Sequence, residues 1–306
     1  MIISASRRTD IPAFYPQWFI NRIRAGYCGV PNPYNSQQVA YISLAPQDVD
    51  VIVFWTRNPR PLFPYLDELD RLGYCYYFQF TLLDYLRQID AHTPVSSMSI
   101  TTFRELTNRV GPERVIWRYD PIVFSELTPP EFHRRSYSRL ARALCGASKR
   151  SVISVMDVYA KAQARLQLMA EEGATLRSKQ DYPPEEFDQL MHTMAKSAAA
   201  NGMEVFSCAE ELNLRGYGIL PGKCVDDDYI EQVFGLNVIH TKDPNQRKFC
   251  GCVLSKDIGM YDSCLFGCSY CYATMDFKRS KERHAQHDPN SPSLIGWHEP
   301  AQRPLF

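Results

Sequence analysis

Three cysteines near the end of the chain have a spacing that can hold an iron–sulfur cluster. Cys264, Cys268 and Cys271 form a C-x3-C-x2-C motif within the 306-residue sequence. Thiolates at these intervals can wrap one face of an iron–sulfur cube, because each thiolate binds a separate iron. The fourth iron is then left without a protein ligand and can bind a small molecule. The motif therefore predicts a metal centre with an open coordination position.

Four further cysteines form a second candidate metal site. Intervals of fifteen, twenty-five and one residue separate Cys208, Cys224, Cys250 and Cys252. Four thiolates can fully ligate an iron–sulfur cluster or a structural zinc ion. In the alternative interpretation, Cys208 is a buried core thiol and the other three are unpaired. The spacing leaves the choice between a cluster and zinc open.

The number and distribution of cysteines indicate the cellular compartment in which the protein works. Ten are present, and seven of them lie from residue 208 onward. Clustered cysteines in a cytosolic protein indicate metal or redox chemistry rather than disulfides. The first residues lack the basic-then-apolar order of a signal peptide, and no apolar run reaches the roughly 18 residues of a membrane span. We therefore expect a cytoplasmic protein without a membrane partner, in which Cys28, Cys75 and Cys145 are structural.

The charge of the chain is balanced, with 34 Lys and Arg against 34 Asp and Glu. A net charge of zero argues against bulk electrostatic attraction to nucleic acid or membrane, and leaves a local basic groove open. We therefore do not expect a nucleic-acid partner from charge alone.

The elements that must position these residues repeat a short apolar strand followed by an amphipathic stretch. The predicted strands cover residues 2–6, 49–55, 75–82, 114–119, 151–156 and 203–208. Their β-branched and aromatic residues are typical of buried strands, and Gly or Pro bounds the helical stretches between them. Six such repeats imply parallel strands with helical crossovers, in an open sheet or a barrel. No GxGxxG follows the first strand, which weakens a dinucleotide-binding interpretation.

Polar side chains follow each predicted strand, at the end where both architectures place the active site. The candidates there are Arg8, Asp10, Thr56, Arg57, Asn58, Gln79, Thr81, Arg118, Asp120, Asp157 and Glu210. Three of the six strand ends offer an arginine, and two of these lie beside an aspartate. The alternative for these two arginine–aspartate pairs is structural ion pairing across the mouth.

The C-x3-C-x2-C motif resembles the cluster-binding signature of the radical S-adenosylmethionine (SAM) enzymes. In that signature an aromatic residue also precedes the last cysteine, as Tyr270 does here. The resemblance implies that the open iron chelates the amino and carboxylate groups of SAM, and that electron transfer cleaves SAM to a 5′-deoxyadenosyl radical. Most of that superfamily carries the motif after the first barrel strand, but residues 6–15 contain no cysteine here. A segment that wraps back over the barrel mouth would bring the cluster to the equivalent place.

A second resemblance covers about residues 1–276. ISASRRTDIPAFY, VDVIVFWTRNP, RVIWRYDPI and DIGMYDSCLFGCSYCYA occur in this order, as in the DUF1848 family. This resemblance implies a cytoplasmic iron–sulfur protein with a C-terminal SAM-type triplet, and supplies no substrate. Auxiliary clusters occur in many radical SAM enzymes, which favours a cluster at the second set of cysteines.

SAM as the implied cofactor gives roles to the polar candidates. Guanidinium groups can pair with a carboxylate, and aspartates can bond ribose hydroxyls or a substrate amine. The catalytic candidates are Arg118, Asp120 and Asp157. The cofactor-binding candidates are Arg8, Asp10, Thr56, Arg57, Asn58, Gln79, Thr81, Glu210 and Tyr270.

The sequence as a whole predicts an α/β fold. We expect a partial (β/α)6 TIM-like barrel over residues 1–210, with a cysteine-rich cluster-binding segment over 211–276 that caps the barrel mouth. A polar, loosely ordered tail would follow over 277–306.

The expected function is that of a radical SAM-type enzyme with one or two [4Fe–4S] clusters. It would act on a small molecule or peptide and take electrons from a donor such as a flavodoxin or ferredoxin. The alternative is a non-catalytic iron–sulfur or zinc protein whose cysteines are structural or redox-sensing. The sequence specifies neither the substrate, nor the SAM bond that breaks, nor the oligomeric state.

Overall fold

A parallel sheet forms the centre of the fold, in a computed structural model that describes residues 1–300. Its strands are β1 Ile2–Ala5, β4 Val51–Thr56, β5 Tyr76–Thr81, β6 Val115–Ile122, β7 Arg150–Val155, β8 Glu204–Cys208, β9 Leu220–Gly222 and β10 Lys256–Asp257. They lie in the order β10-β1-β4-β5-β6-β7-β8-β9, with every neighbouring pair parallel. Within the described residues the sheet does not close on itself. The predicted α/β class is confirmed.

Six of the eight strands are the six predicted from apolar runs, with ends that differ by three residues or fewer. The sequence predicted two strands too few, because β9 and β10 lie in the cysteine-rich segment, where no strand was predicted. These strands are three and two residues long and add to opposite edges of the sheet. The segment predicted to cap the barrel therefore also contributes both edge strands.

Helices connect and flank the strands. They are α1 Ile11–Phe14, α2 Pro16–Ala25, α3 Leu66–Arg71, α4 Ser96–Val110, α5 Pro130–Ala143, α6 Gln163–Glu171, α7 Pro184–Ala199, α8 Asp227–Phe234 and α9 Phe277–Ala285. Short 3-10 helices cover Pro46–Asp48, Arg60–Tyr65, Pro112–Arg114, Ala160–Ala162, Lys179–Asp181 and Arg215–Tyr217. An antiparallel hairpin, β2 Tyr27–Asn32 and β3 Asn35–Ser43, stands outside the main sheet. Among residues 1–300, no helix combines the length and apolar character needed to cross a membrane.

Side chains of the sheet alternate between two buried faces, as the period of a strand requires. On β4, Ile52 and Phe54 belong to a large core that includes buried residues of α2, α4, α5 and α7. Val51 and Val53 belong to a separate core that contains Cys208, Cys224, Cys250 and Cys252. Because both faces are covered, the strands are apolar throughout, which made them recognisable in the sequence.

The segment after Cys271 is more ordered than its polar composition indicated. We expected a loosely ordered tail over 277–306, and this is wrong up to residue 300; residues 301–306 lie outside the described part of the chain. Residues 277–285 form α9, and both Leu294 and Ile295 enter the large core. The Trp18 indole Nε1 donates to the carbonyl of Ser291 at 3.0 Å. Residues 277–300 therefore form part of the folded unit.

The burial of Leu294 gives a direct test of that conclusion. Its side chain is 1 % exposed, so Leu294→Ala should lower the free energy of unfolding by about 2–5 kcal/mol through lost burial and a cavity. Leu168→Ala is the matched control, because Leu168 lies on α6 with 59 % exposure, and should change it by less than about 0.5 kcal/mol. Urea unfolding measures both. Equal effects would contradict the packing of this segment.

A buried imidazole, that of His133, lies on α5. The Tyr119 hydroxyl lies 2.9 Å from His133 Nδ1, and Nε2 lies 3.1 Å from the Val123 carbonyl. A carbonyl only accepts, so Nε2 carries the proton and donates it, and Nδ1 accepts from the tyrosine. Burial lowers the pKa of His133 to about 4 from its ordinary 6.5. The imidazole is therefore neutral in the folded chain at neutral pH.

This imidazole should make stability depend on pH. Between about pH 6.5 and 4 the unfolded chain binds a proton at His133 and the folded chain does not, so stability is lost as the pH falls. His133→Gln does not titrate, and should lose about 3 kcal/mol less than the wild type across this window. Urea unfolding at both pH values measures the difference. Equal losses in the two proteins would show that His133 is not a buried neutral group.

Candidate functional site

A cavity of about 760 Å³ lies at the carboxyl ends of the parallel strands. It is lined by all seven late cysteines, namely Cys208, Cys224, Cys250, Cys252, Cys264, Cys268 and Cys271. Nine polar candidates from the sequence also line it: Arg8, Asp10, Thr56, Arg57, Thr81, Arg118, Asp120, Asp157 and Tyr270. The fold thus brings residues from both ends of the chain to one place.

Three predicted candidates do not line this cavity. Gln79 is buried beneath it and donates from Nε2 to the carbonyl of Cys224 at 2.8 Å. Asn58 accepts a long 3.4 Å hydrogen bond from the backbone of Arg60. Glu210 accepts from the backbone N–H of Val155 at 2.6 Å and lines a neighbouring cavity. Gln79 thus holds the backbone at a cysteine, and its predicted role in cofactor binding has no support from the geometry.

The pairing of β10 with β1 brings the C-x3-C-x2-C segment to the cavity. Asp257 on β10 accepts hydrogen bonds from the hydroxyls of Ser4 and Ser6 and from the backbone N–H of Arg7, at 2.7–3.1 Å. Gly259 then passes so close to Ser6 that a Cβ at this position would collide with the serine side chain. The following residues consequently run beside the loop after β1. Sequence reasoning missed Asp257 and Gly259, because a two-residue strand leaves no periodic pattern.

The triplet lies beside the loop after β1, with Cys268 buried and Cys264 and Cys271 half-buried. Backbone groups of Asp10 and Phe266 hydrogen-bond to the sulfur of Cys264. Burial, reinforced by the nearby Cys271, raises the pKa of the Cys264 thiol to about 12, and burial likewise raises the pKa of Cys268. Such thiols stay protonated at neutral pH unless a bound cation replaces the proton. The donor set therefore suits a metal cluster and not a free thiolate nucleophile.

A buried ion pair fixes the loop that carries this triplet. Arg57 Nη1 lies 2.7 Å from Asp90 Oδ2, and the Tyr270 hydroxyl donates to Asp90 Oδ1 at 2.9 Å. Arg57 also hydrogen-bonds to the Tyr270 hydroxyl. Arg57 and Tyr270 were predicted from the sequence to contact a cofactor. In the structure they bind one another and share Asp90 as a partner. Sequence reasoning missed Asp90. Asp90 lies outside the predicted strands and carries no motif that would reveal it.

The carboxylates near the triplet are already engaged. Asp10 caps α1 by accepting from Ala13 N–H at 2.9 Å, and it accepts from Arg57 N–H at 2.6 Å. Asp262 accepts from Met275 N–H at 2.5 Å, and Asp276 caps α9. Among residues 1–300, no carboxylate or imidazole joins two of these thiols within 4.8 Å. The carboxylates of Asp10, Asp262 and Asp276 are thus already hydrogen-bonded to backbone N–H groups.

The other four cysteines converge in the core that contains Val51 and Val53 of β4. The sulfurs of Cys208 and Cys224 lie 2.9 Å apart. The sulfur of Cys252 accepts from the backbone N–H of Cys224 at 3.2 Å, and Cys250 hydrogen-bonds to Cys252. These thiols are buried, and they stand among apolar residues of the second core. We refer to Cys208, Cys224, Cys250 and Cys252 as the four-thiol set.

The sequence matches the family described as "Domain of unknown function (DUF1848)" over residues 2–273. The chain belongs to the DUF1848 family. The matched region includes all seven late cysteines. No curated protein matches the chain.

The acidic and basic candidates of this DUF1848 chain are mutually paired. Arg118 forms a salt bridge with Asp120, and its Nη1 lies 2.7 Å from the sulfur of Cys224. Arg247, which sequence reasoning missed, pairs with Asp157. Arg118 is thus bound to the four-thiol set and an aspartate, as the structural alternative for this pair anticipated. The predicted Arg8–Asp10 pair is different, because Arg8 lies 4.0 Å from Asp257 instead.

Removing one partner of the buried Arg57–Asp90 pair should be costly. The two side chains are 13 % and 2 % exposed, so Asp90→Asn leaves a buried guanidinium without its counter-charge and should lower the free energy of unfolding by about 3–5 kcal/mol. Asp67→Asn is the matched control, because Asp67 pairs with Arg109 at 2.5 Å while 82 % exposed, and should cost less than about 1 kcal/mol. Urea unfolding compares them. A loss at Asp90 no larger than at Asp67 would mean that Arg57 is solvated.

Proposed function

We propose that this protein is a radical SAM-type enzyme that holds an open-site [4Fe–4S] cluster with Cys264, Cys268 and Cys271. The observation that carries the proposal is the position of these thiols in the cavity at the strand ends, beside the loop after β1. The Tyr15 hydroxyl donates to the carbonyl of Ser263, and Tyr272 donates to that of Arg7. A triplet that lies late in the sequence therefore stands where a motif after the first strand would stand.

The residues around the triplet support this proposal. A cluster on three thiolates leaves one iron open for the amino and carboxylate groups of SAM, and supplies the electron that breaks a carbon–sulfur bond of its sulfonium. Arg57, neutralised by Asp90, holds the loop. Arg8 is only weakly paired and lines the cavity, so it is the better candidate to bind a carboxylate. Tyr270 fixes the loop through Asp90.

The same cavity offers room for a substrate. Asp120 and Asp157 line it away from the C-x3-C-x2-C segment, together with Tyr159 and Trp55. These groups can hydrogen-bond a small molecule or a peptide segment that enters from the open side. The exposed Tyr34, at the tip of the β2–β3 hairpin, also lines the opening. We propose that an electron donor such as a flavodoxin or ferredoxin serves the cluster in a cytoplasmic setting.

The architecture we propose is a partial barrel. An open sheet of eight parallel strands, with both faces covered and the candidate residues at one end, suits an incomplete (β/α) barrel. Residues 211–276 would cap its mouth, because they contribute both edge strands and all but one of the late cysteines. The four-thiol set is proposed as a second metal site.

Loss of one triplet cysteine should abolish SAM cleavage. Wild-type chain, reconstituted anaerobically with iron and sulfide and then reduced, should consume SAM. Cys264→Ala should lower the rate by more than about 100-fold, since loss of a ligand exceeds the 10–100-fold typical of its supporting partners. Chromatography with mass detection measures the products. Methionine with 5′-deoxyadenosine, or 5′-methylthioadenosine, would identify which carbon–sulfur bond breaks.

Cys145→Ala is the control, because Cys145 is exposed and lies outside the cavity. It should cleave SAM at the wild-type rate. An iron-loaded, reduced wild type that leaves SAM intact would refute the proposed function. So would a Cys264→Ala variant that matches Cys145→Ala.

A further inference from the structure

An unsatisfied guanidinium group lies beside the four-thiol set. Arg7 Nη2 is buried and has no hydrogen-bond partner, while Nη1 reaches Asp243 only at 3.9 Å. The strongest electrostatic neighbours of Arg7 include Cys252 and Cys224. Burying an N–H donor without an acceptor is costly, and native proteins rarely do it. A group bound in the cavity that Arg7 lines would supply the missing acceptor.

A second guanidinium reaches the same thiols from the other side. Arg118 donates to the sulfur of Cys224 at 2.7 Å, and it is 4 % exposed. Arg7 and Arg118 both stand over the ring of Trp55, at 5.4 and 5.1 Å from its centre. The indole thus fixes two cations next to the four-thiol set. Arginine suits this position because its planar fork stacks on aromatic rings and keeps its charge when buried.

The two candidate cofactors differ in what they offer Arg7. A zinc ion within four thiolates introduces no new acceptor, because every ligand already belongs to the protein. A cubane introduces inorganic sulfides, which accept hydrogen bonds from nearby donors. The free Nη2 of Arg7 therefore matches a cubane better than zinc.

The spacing of the sulfurs matches neither cofactor directly. Tetrahedral ligands at the zinc–sulfur distance lie about 3.8 Å from one another. Among residues 1–300, Asp226, Asp227 and Asp228 have three potential ligand atoms within 4.8 Å of one another. No three of the four cysteine sulfurs in this range lie that close together. A cubane would bind each thiolate at a separate iron, and its four sulfurs would therefore lie farther apart than those around zinc. The close Cys208–Cys224 pair must open for either cofactor.

We infer that the four-thiol set holds a [4Fe–4S] cluster, and that Arg7 and Arg118 are positioning residues that raise its reduction potential. This inference rests on the second metal site of the proposed function and is independent of SAM cleavage. Reduction adds a negative charge to the cluster, and two fixed cations favour that state. Hydrogen bonds to cluster sulfurs act in the same direction.

The first test isolates this cluster from the triplet. A chain with Cys264→Ala, Cys268→Ala and Cys271→Ala is offered iron, sulfide and zinc under anaerobic conditions. About four iron and four sulfide per chain, with an EPR signal after reduction, are expected. Addition of Cys208→Ala should remove that signal. Zinc without iron would overturn the inference, whatever the wild type does with SAM.

The second test measures the reduction potential of the same variant by EPR-monitored redox titration. Arg7→Gln should lower the potential by at least about 59 mV, which is a tenfold change in the reduced fraction for one electron. Arg7→Lys keeps the positive charge but loses the planar guanidinium with its several N–H donors, and should lower the potential by a smaller amount. Arg24→Gln, at an exposed ion pair with Glu68, should leave it unchanged.

Equal potentials for Arg7→Gln, Arg7→Lys and the parent would overturn the role of Arg7. If Arg7→Gln takes up no iron, Arg7→Lys carries the measurement, and its potential must still fall below that of the parent. A decrease in Arg24→Gln as large as that in Arg7→Gln would show that net charge, and not position, sets the potential.

Discussion

The parallel pairing of β10 with β1 is the interaction on which the site depends. Only two residue pairs form this ladder, Ile3 with Lys256 and Ser4 with Asp257. The Asp257 carboxylate strengthens it by accepting from two serine hydroxyls and a backbone N–H. Because β10 lies at the sheet edge beside the first strand, the residues after it arrive at the strand ends. Without this pairing the segment with Cys264, Cys268 and Cys271 would lose its backbone connection to the first strand of the parallel sheet.

Burial then dictates what these cysteines can do. The hydrogen bond with Cys224, together with burial, raises the pKa of the Cys208 thiol, and burial raises the pKa values of Cys264 and Cys268. Proteins seldom bury unpaired thiolates, since a low-dielectric interior penalises the charge. The surrounding guanidiniums, chiefly Arg57 and Arg118, supply part of the compensation, and a metal core would supply the rest. Arg57 and Arg118 are thus engaged by Asp90 and Asp120, and their guanidinium groups are not free to bind a ligand.

Much of the fold followed from the sequence, because buried parallel strands are apolar on both faces. The six strands were recognisable from runs such as VDVIVFW. The two edge strands were not, since two or three residues cannot show a period. Polar composition misled us after residue 277, where Ser291 and Ser293 are fully buried yet hydrogen-bonded to nearby backbone carbonyls. Composition gives only the residue types. Whether a buried hydroxyl finds a hydrogen-bond partner depends on the tertiary structure.

The candidate site was predictable to the extent that spacing determines chemistry. Short intervals identified the triplet, and strand ends identified most of the residues that line the cavity. The hydrogen-bond and ion-pair partners of these side chains could not be predicted, because the partners are far apart in sequence. Arg57 pairs with Asp90, and Gln79 donates to the backbone carbonyl of Cys224. Arg7 lies in the ISASRRTDIPAFY stretch, but only the structure distinguishes it from Arg8, through its unsatisfied nitrogen.

The central claim is that the C-x3-C-x2-C thiols leave one iron open to SAM. EPR of the reduced, iron-loaded wild-type chain tests it most directly, with SAM carrying ¹⁷O in its carboxylate. The account predicts that SAM changes the cluster signal, and that the label broadens it because the carboxylate binds iron. A spectrum that is identical with and without SAM would contradict the account.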